Sequence, residues 1–108
     1  VLDYILSLLV IRDEHTSTEG IRQLRNQIDE VDNELMDLLA KRMRICREIG
    51  VYKKEHNMTV LQASRYNEIL EKRGAQGSLI GIDPECIAHI FELIHEESVR
   101  QQLEIVNQ

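Results

Sequence analysis

Tryptophan is absent from this chain, proline occurs once, cysteine twice and glycine five times, and only 4% of the residues are aromatic. So few turn-forming residues, with the abundance of Leu, Ile, Glu, Gln and Arg, favour helix over sheet and an all-α fold. The lack of aromatics removes the stacking platform on which single strands of nucleic acid are bound. Positive charge is in deficit too. Lys and Arg number 13 against 19 Asp and Glu, a formal charge of −6, so neither a general nucleic-acid surface nor an acidic-membrane surface is expected.

Cys46 and Cys86 form no CxxC pair. Two isolated cysteines in a core-forming helical chain read as buried thiols of a reducing compartment, which places the protein in the cytoplasm. His15, His56, His89 and His95 make no i, i+4 ligand pair and no HExxH, and there is no glycine-rich phosphate loop, so neither a metal nor a nucleotide is expected. The apolar opening, residues 1–11, is about half the length that spans a bilayer, lacks a basic flank and carries Asp3. It reads as a short element left from a preceding domain. Residues 1–20 are therefore expected to be an extension and linker, and 21–108 one domain, since 108 residues suffice for one core.

What the chain does have is a long heptad. Ile21, Leu24, Ile28, Val31, Leu35, Leu38, Ile45, Ile49 and Tyr52 recur at alternating steps of three and four, and the one polar member of the series is Arg42. A guanidinium on an apolar seam is costly unless an anion or carboxylate meets it. The pattern predicts a helix from about Ile21, with Thr16, Ser17 and Thr18 as rival caps, to a left-handed stop at Asn57. Such a helix is roughly 55 Å long, whereas a domain of this size is about 34 Å across. Its seam calls for a second copy, and an antiparallel, intertwined homodimer is the simplest closed arrangement.

A shorter helix is expected over residues 61–73, with Leu61, Arg65, Ile69 and Leu70 near one face, then a loop over 74–82, which holds three glycines. Asp83 followed by Pro84 is a cap with proline at the first helical position, opening a third helix that runs to about Val106. Its apolar line, Ile87, Ile90, Phe91 and Ile94, is interrupted by Ser98 and Gln102 before Ile105.

Arg42 and Lys53 are eleven residues apart, about 20° of rotation and 16.5 Å of rise, so both project from one face and can grip the two ends of one small anion. Ser98 and Gln102 offer neutral hydrogen bonds one turn apart, and Arg65 a third cation. Each has a plainer explanation: Arg42 setting register, Lys53 as a charge at a helix C-terminus, Arg65 pairing with Glu68 or Glu71. Taken together they suit a compact dianion.

The string LRNQIDEVDNELMDLLAKRMRICREIGVYK, from Leu24 to Lys53, resembles the first helix of the all-helical chorismate mutases, and IFELIHEESVRQQ, from Ile90 to Gln102, resembles their last. The resemblance covers residues 21 to about 105. It implies a cofactor-free Claisen rearrangement of chorismate to prephenate in phenylalanine and tyrosine biosynthesis. By the same resemblance Arg42 and Arg25 bind the substrate carboxylates with Ser98 assisting, Lys53 and Gln102 donate to the ether oxygen, and Arg65 matches a further site arginine. Many members carry a glutamate immediately after that arginine to receive the ring hydroxyl. Here Tyr66 stands there, and Gln62 replaces a commonly acidic residue one turn earlier; either can contact that hydroxyl.

Along one helix Arg25 is about 25 Å from Arg42 and about 42 Å from Lys53, so it is expected to reach a small ligand only from the partner chain, with the two-fold axis close to Met36. The resemblance also suggests fusion to an N-terminal synthase that opens aromatic biosynthesis, with prephenate as a regulatory ligand. The rival reading is a non-catalytic helical dimerisation module.

Overall fold

The computed structural model describes residues 18–108; the expected element over residues 1–11, His15 and the caps Thr16 and Ser17 lie outside the described residues. The described residues form three α-helices and no strand: α1 (Thr18–Glu55), α2 (Ala63–Leu79) and α3 (Pro84–Val106). The chain divides into two units, Val1–Leu39 and Ala40–Gln108.

In the first unit every described residue is helical and none is buried. The seam positions Leu24, Ile28, Val31, Leu35 and Leu38 are all exposed, Leu38 at 62%. Helical propensity alone stabilises such a segment weakly, because the stability of most protein helices comes from burying an apolar face.

In the second unit, α2 packs against α3, and the rest of α1 is joined to α3 by side-chain hydrogen bonds. The buried apolar residues are Cys46, Val60 and Ile69, and beside them are two polar ones, Ser98 and Gln102. No large side chain of the described residues is fully buried. The face of α1 that turns inward carries Cys46 and Gly50, next to the heptad seam, while Ile45, Ile49 and Tyr52 of the seam itself stay exposed.

α1 ends where the sequence indicates. Asn57 adopts a left-handed backbone at φ 53°, Met58 N–H reaches Lys53 O at 2.8 Å and Asn57 N–H reaches Lys54 O at 3.4 Å, a Schellman closure. Asp83 caps α3 through its side chain, which accepts from Glu85 N–H at 3.0 Å, and Pro84 follows at the first helical position.

Three expectations are corrected. The helix expected over 61–73 starts later, leaving Leu61 exposed before it, and continues through the supposed glycine loop to Leu79. The glycines Gly74 and Gly77 are buried where α2 meets α3: a Cβ on Gly77 would fall 2.6 Å from Ile87 Cγ1. They serve close packing, and only Gly81, at φ 79°, is a turn glycine; it closes α2 with Ile82 N–H on Gly77 O at 2.9 Å. The third correction is Cys86, which is exposed in the first turn of α3, whereas Cys46 is buried as expected.

Candidate active site

Arg42, Ser98 and Gln102, the polar residues that interrupt apolar patterns, meet Lys53 within the second unit. On α1, Arg42, Cys46, Ile49 and Lys53 are spaced four, three and four apart and line one pocket of about 300 Å³; His95, Ser98, Val99 and Gln102 of α3 line its other side. Val60 and Gln62, from the α1–α2 connection, and Arg65 and Ile69 of α2 complete it. The volume lies at the small end of the range for ligand pockets. Its lining includes three permanent or near-permanent cations and no carboxylate.

Arg42 Nη1 donates to Ser98 Oγ at 2.7 Å, and Ser98 in turn donates to the Ile94 carbonyl at 2.9 Å, one turn back on α3. The serine thus fixes the guanidinium while its own hydroxyl proton is used, and Cys46 Sγ lies 3.3 Å from the same oxygen. Lys53 Nζ donates to Gln102 Oε1 at 2.9 Å and to the Val60 carbonyl at 2.8 Å. Two of the three ammonium protons are therefore held by the protein, and the third remains available. Because the Gln102 oxygen faces Lys53, the amide NH₂ is left as a donor. Burial holds the Lys53 pKa below the usual lysine value, an effect that Cys46 opposes.

This pairing requires a close approach of α1 and α3. A Cβ on Gly50 would lie 3.2 Å from Gln102 Cα, so the glycine admits the α3 backbone next to the turn that carries Lys53. Outside the pocket, Arg47 Nη1 donates to Gln101 Oε1 at 2.8 Å and braces the same two helices.

The remaining sequence candidates are placed differently. Arg65 lines the pocket but is 58% exposed and pairs with Glu68 at 2.8 Å, the partner that the sequence offered. An exposed pair of this kind is worth about 0–1 kcal/mol, so it restrains Arg65 little against an incoming dianion. Gln62 is exposed, lines the pocket and donates weakly to Thr59 O at 3.4 Å. Tyr66 lines a neighbouring pocket with Leu61, Gln62, Ala63, His95 and Glu96. Its ring is tilted at 45° against that of His95 with centroids 4.6 Å apart, and burial followed by the charges of Glu92 and Glu96 raises its pKa. Arg25 is exposed in the first unit.

Sequence reasoning passed over Cys46, Ile49, Gly50, the Val60 carbonyl and His95. A signal existed for the histidine, since 95, 98 and 102 follow steps of three and four and so share a face. Burial first, then the charges of Arg42 and Lys53, lower the His95 pKa, with Glu96 opposing them. Among the described residues no group of His, Cys, Asp and Glu could hold a metal ion, and no helix is long and apolar enough to cross a membrane.

Comparison with known proteins adds a second line. Residues 24–103 match the family described as chorismate mutase type II. The chain is 33% identical over 75 residues to the T-protein of Enterobacter agglomerans, covering 69% of this chain and 20% of that protein. It is 31% identical over 93 residues to the bifunctional chorismate mutase/prephenate dehydratase of Escherichia coli (strain K12), covering 86% and 24%. A 4-amino-4-deoxychorismate mutase of Streptomyces pristinaespiralis is 29% identical over 84 residues, covering 78% of this chain and 65% of the relative. The chain thus spans only a fifth to a quarter of the length of the T-protein and bifunctional relatives.

Proposed function

As the chain belongs to the chorismate mutase type II family, we propose that it converts chorismate to prephenate by a Claisen rearrangement. The observation that carries this reading is the joint placement of Arg42 and Lys53, each oriented by a hydrogen bond that it donates to α3, in one pocket lined by no carboxylate.

Chorismate is a dicarboxylate that must leave its extended form for a chair in which the enolpyruvyl carbon reaches the ring. Arg42 binds one carboxylate, using the guanidinium donors that Ser98 does not occupy, and Arg65 turns from Glu68 to add positive charge at the rim. Holding both ends of the substrate at a fixed separation makes the reactive chair the bound form. As the C–O bond stretches, negative charge gathers on the ether oxygen. The spare Lys53 proton and the Gln102 amide meet it there, preorganised by their mutual bond and by the Val60 carbonyl, so they stabilise the transition state more than the ground state. One such donor is typically worth about 3 kcal/mol of barrier. The step needs no nucleophile and no cofactor, and atoms and electrons are conserved within the substrate.

The second carboxylate is bound by Arg25 of a partner chain. Two observations support an antiparallel homodimer: the apolar seam Leu24, Ile28, Val31, Leu35 and Leu38 is exposed throughout, and the core of the second unit contains no fully buried large side chain. The helical rise between positions 25 and 42 supports supply in trans. The relatives fused to a second activity support a larger protein in which prephenate acts on an attached biosynthetic domain, and comparing that domain's activity with and without prephenate tests it.

The direct test adds chorismate to purified protein without metal or cofactor and follows the loss of its ultraviolet absorbance together with the appearance of prephenate. A catalysed, saturable loss is expected. A rate equal to that of buffer alone would leave a helical dimerisation module as the better reading.

A further inference from the structure

Resting on the reading just given, we infer that His95 is a specificity-determining residue of this site, accepting the hydrogen bond of the substrate's ring hydroxyl through an imidazole nitrogen. A dianionic substrate satisfies the cations of the pocket, but its hydroxyl proton needs an acceptor, and a buried donor left without one costs about 1–3 kcal/mol. Most acceptors in the lining are already engaged. Gln102 Oε1 and the Val60 carbonyl both receive Lys53, and Ser98 Oγ receives Arg42 while giving its own proton to Ile94. Neither ring nitrogen of His95 hydrogen-bonds to the protein among the described residues, although the ring is half-buried and lines the pocket with Arg42 and Lys53.

The placement of Tyr66 strengthens the assignment. Of the two rings, only that of His95 borders the cationic pocket; both border the adjoining one, where the tyrosine lies tilted against the imidazole at 4.6 Å between ring centroids and 45° between planes. The groups facing His95 are Arg42 and Lys53 of α1, Tyr66 of α2 and its α3 neighbour Glu96, and burial together with the two cations favours the neutral ring. A neutral imidazole keeps one lone pair as an acceptor. The same surroundings disfavour an ammonium at that point of the substrate, so the hydroxyl is preferred over an amine.

The experiment compares chorismate with the analogue in which the ring hydroxyl is replaced by hydrogen, for the unaltered protein, His95→Ile, His95→Gln and Gln62→Ala. For His95→Ile, kcat/KM on chorismate should fall about three- to tenfold, the size of one neutral hydrogen bond, and change less than twofold on the analogue. His95→Gln, which keeps an acceptor, should recover most of the loss; a merely structural role would lower both substrates equally. Equal losses on both, no loss on chorismate, or a hydroxyl-dependent loss in Gln62→Ala instead would overturn the assignment while leaving the mutase reading intact. If the unaltered protein turned over neither compound, the mutase reading itself would fall and the assignment with it. Should His95→Ile melt at a lower temperature, His95→Met and His95→Gln supply the same comparison.

Discussion

Lys53 Nζ and Gln102 Oε1 lie 2.9 Å apart, joining the last turn of α1 to α3 through a bond that leaves the glutamine NH₂ free to donate, while the Val60 carbonyl takes a second lysine proton and leaves the third. The two are therefore one device: the glutamine aims the ammonium, and the ammonium fixes which end of the glutamine amide is left free in the pocket.

Removing the ammonium should affect the chemical step more than binding. Lys53→Ala is expected to lower kcat on chorismate about 10²- to 10³-fold with a much smaller change in KM, the pattern of a donor that acts chiefly in the transition state. Near-normal turnover in the purified variant would remove Lys53 from the mechanism.

Arg42 should behave differently, because it grips a charge present in the ground state as well. Arg42→Ala is expected to raise KM and lower kcat together. Ser98→Ala, which leaves Arg42 charged but without its 2.7 Å anchor, should cost about tenfold or less in kcat/KM. A Ser98→Ala loss equal to that of Arg42→Ala would mean that the serine binds substrate itself.

Burial lowers the Lys53 pKa, and the sign of the pH effect follows. The proposed mechanism uses the ammonium, so kcat/KM, which reports the free enzyme, should decline on the alkaline side at a pH below the ordinary lysine value of 10.5, and Lys53→Arg should remove that limb. Stability responds oppositely. Below the folded-state pKa the lysine is charged in both states and the full burial cost is present. Between the folded and unfolded values the unfolded chain binds more protons, so this group's contribution to stability rises with pH. Parallel rate and thermal-melt profiles over this alkaline range check both signs.

The parts of the site written in local sequence were legible. Arg42 stands out because it breaks a heptad, and Ser98 and Gln102 because they break an apolar line; the structure joins them across α1 and α3 through the Arg42–Ser98 and Lys53–Gln102 hydrogen bonds. Asn57 and the Asp83–Pro84 cap were equally readable, since a left-handed stop and a capped start depend on a few adjacent residues. Contacts between distant elements were not. Gly74 and Gly77 read as a loop until Ile87 and Pro84 are placed against them, and Gly50 gains its meaning only from the Gln102 backbone. Likewise His95 became a pocket residue once Arg42 and Lys53 faced it from another helix.

Those packing glycines give a stability test. Gly77→Ala would put a methyl 2.6 Å from Ile87 Cγ1 and should destabilise by about 1–3 kcal/mol despite the better helix propensity of alanine. Gly50→Ala meets Gln102 Cα at 3.2 Å, so a displacement of α3 should also reduce turnover by disturbing the Lys53–Gln102 bond. Thermal melts and kcat of the two variants separate the effects. A Gly50→Ala protein of full activity would show that α3 can shift without loss of the pairing.

The shared-site proposal makes a stoichiometric prediction. Arg25→Ala and Arg42→Ala should each be nearly inactive as homodimers, since every site lacks one carboxylate ligand. Unfolding and refolding them together in equal amounts gives about half heterodimers, each with one site that joins an intact Arg42 to an intact partner Arg25 and one that lacks both. About a quarter of the unaltered activity should therefore return. Leu35→Glu, on the exposed seam, should abolish this recovery and lower the mass seen by light scattering to that of a single chain. Arginine supplied within one chain gives no such recovery, so a mixture no more active than its components would assign Arg25 no part in the partner's site.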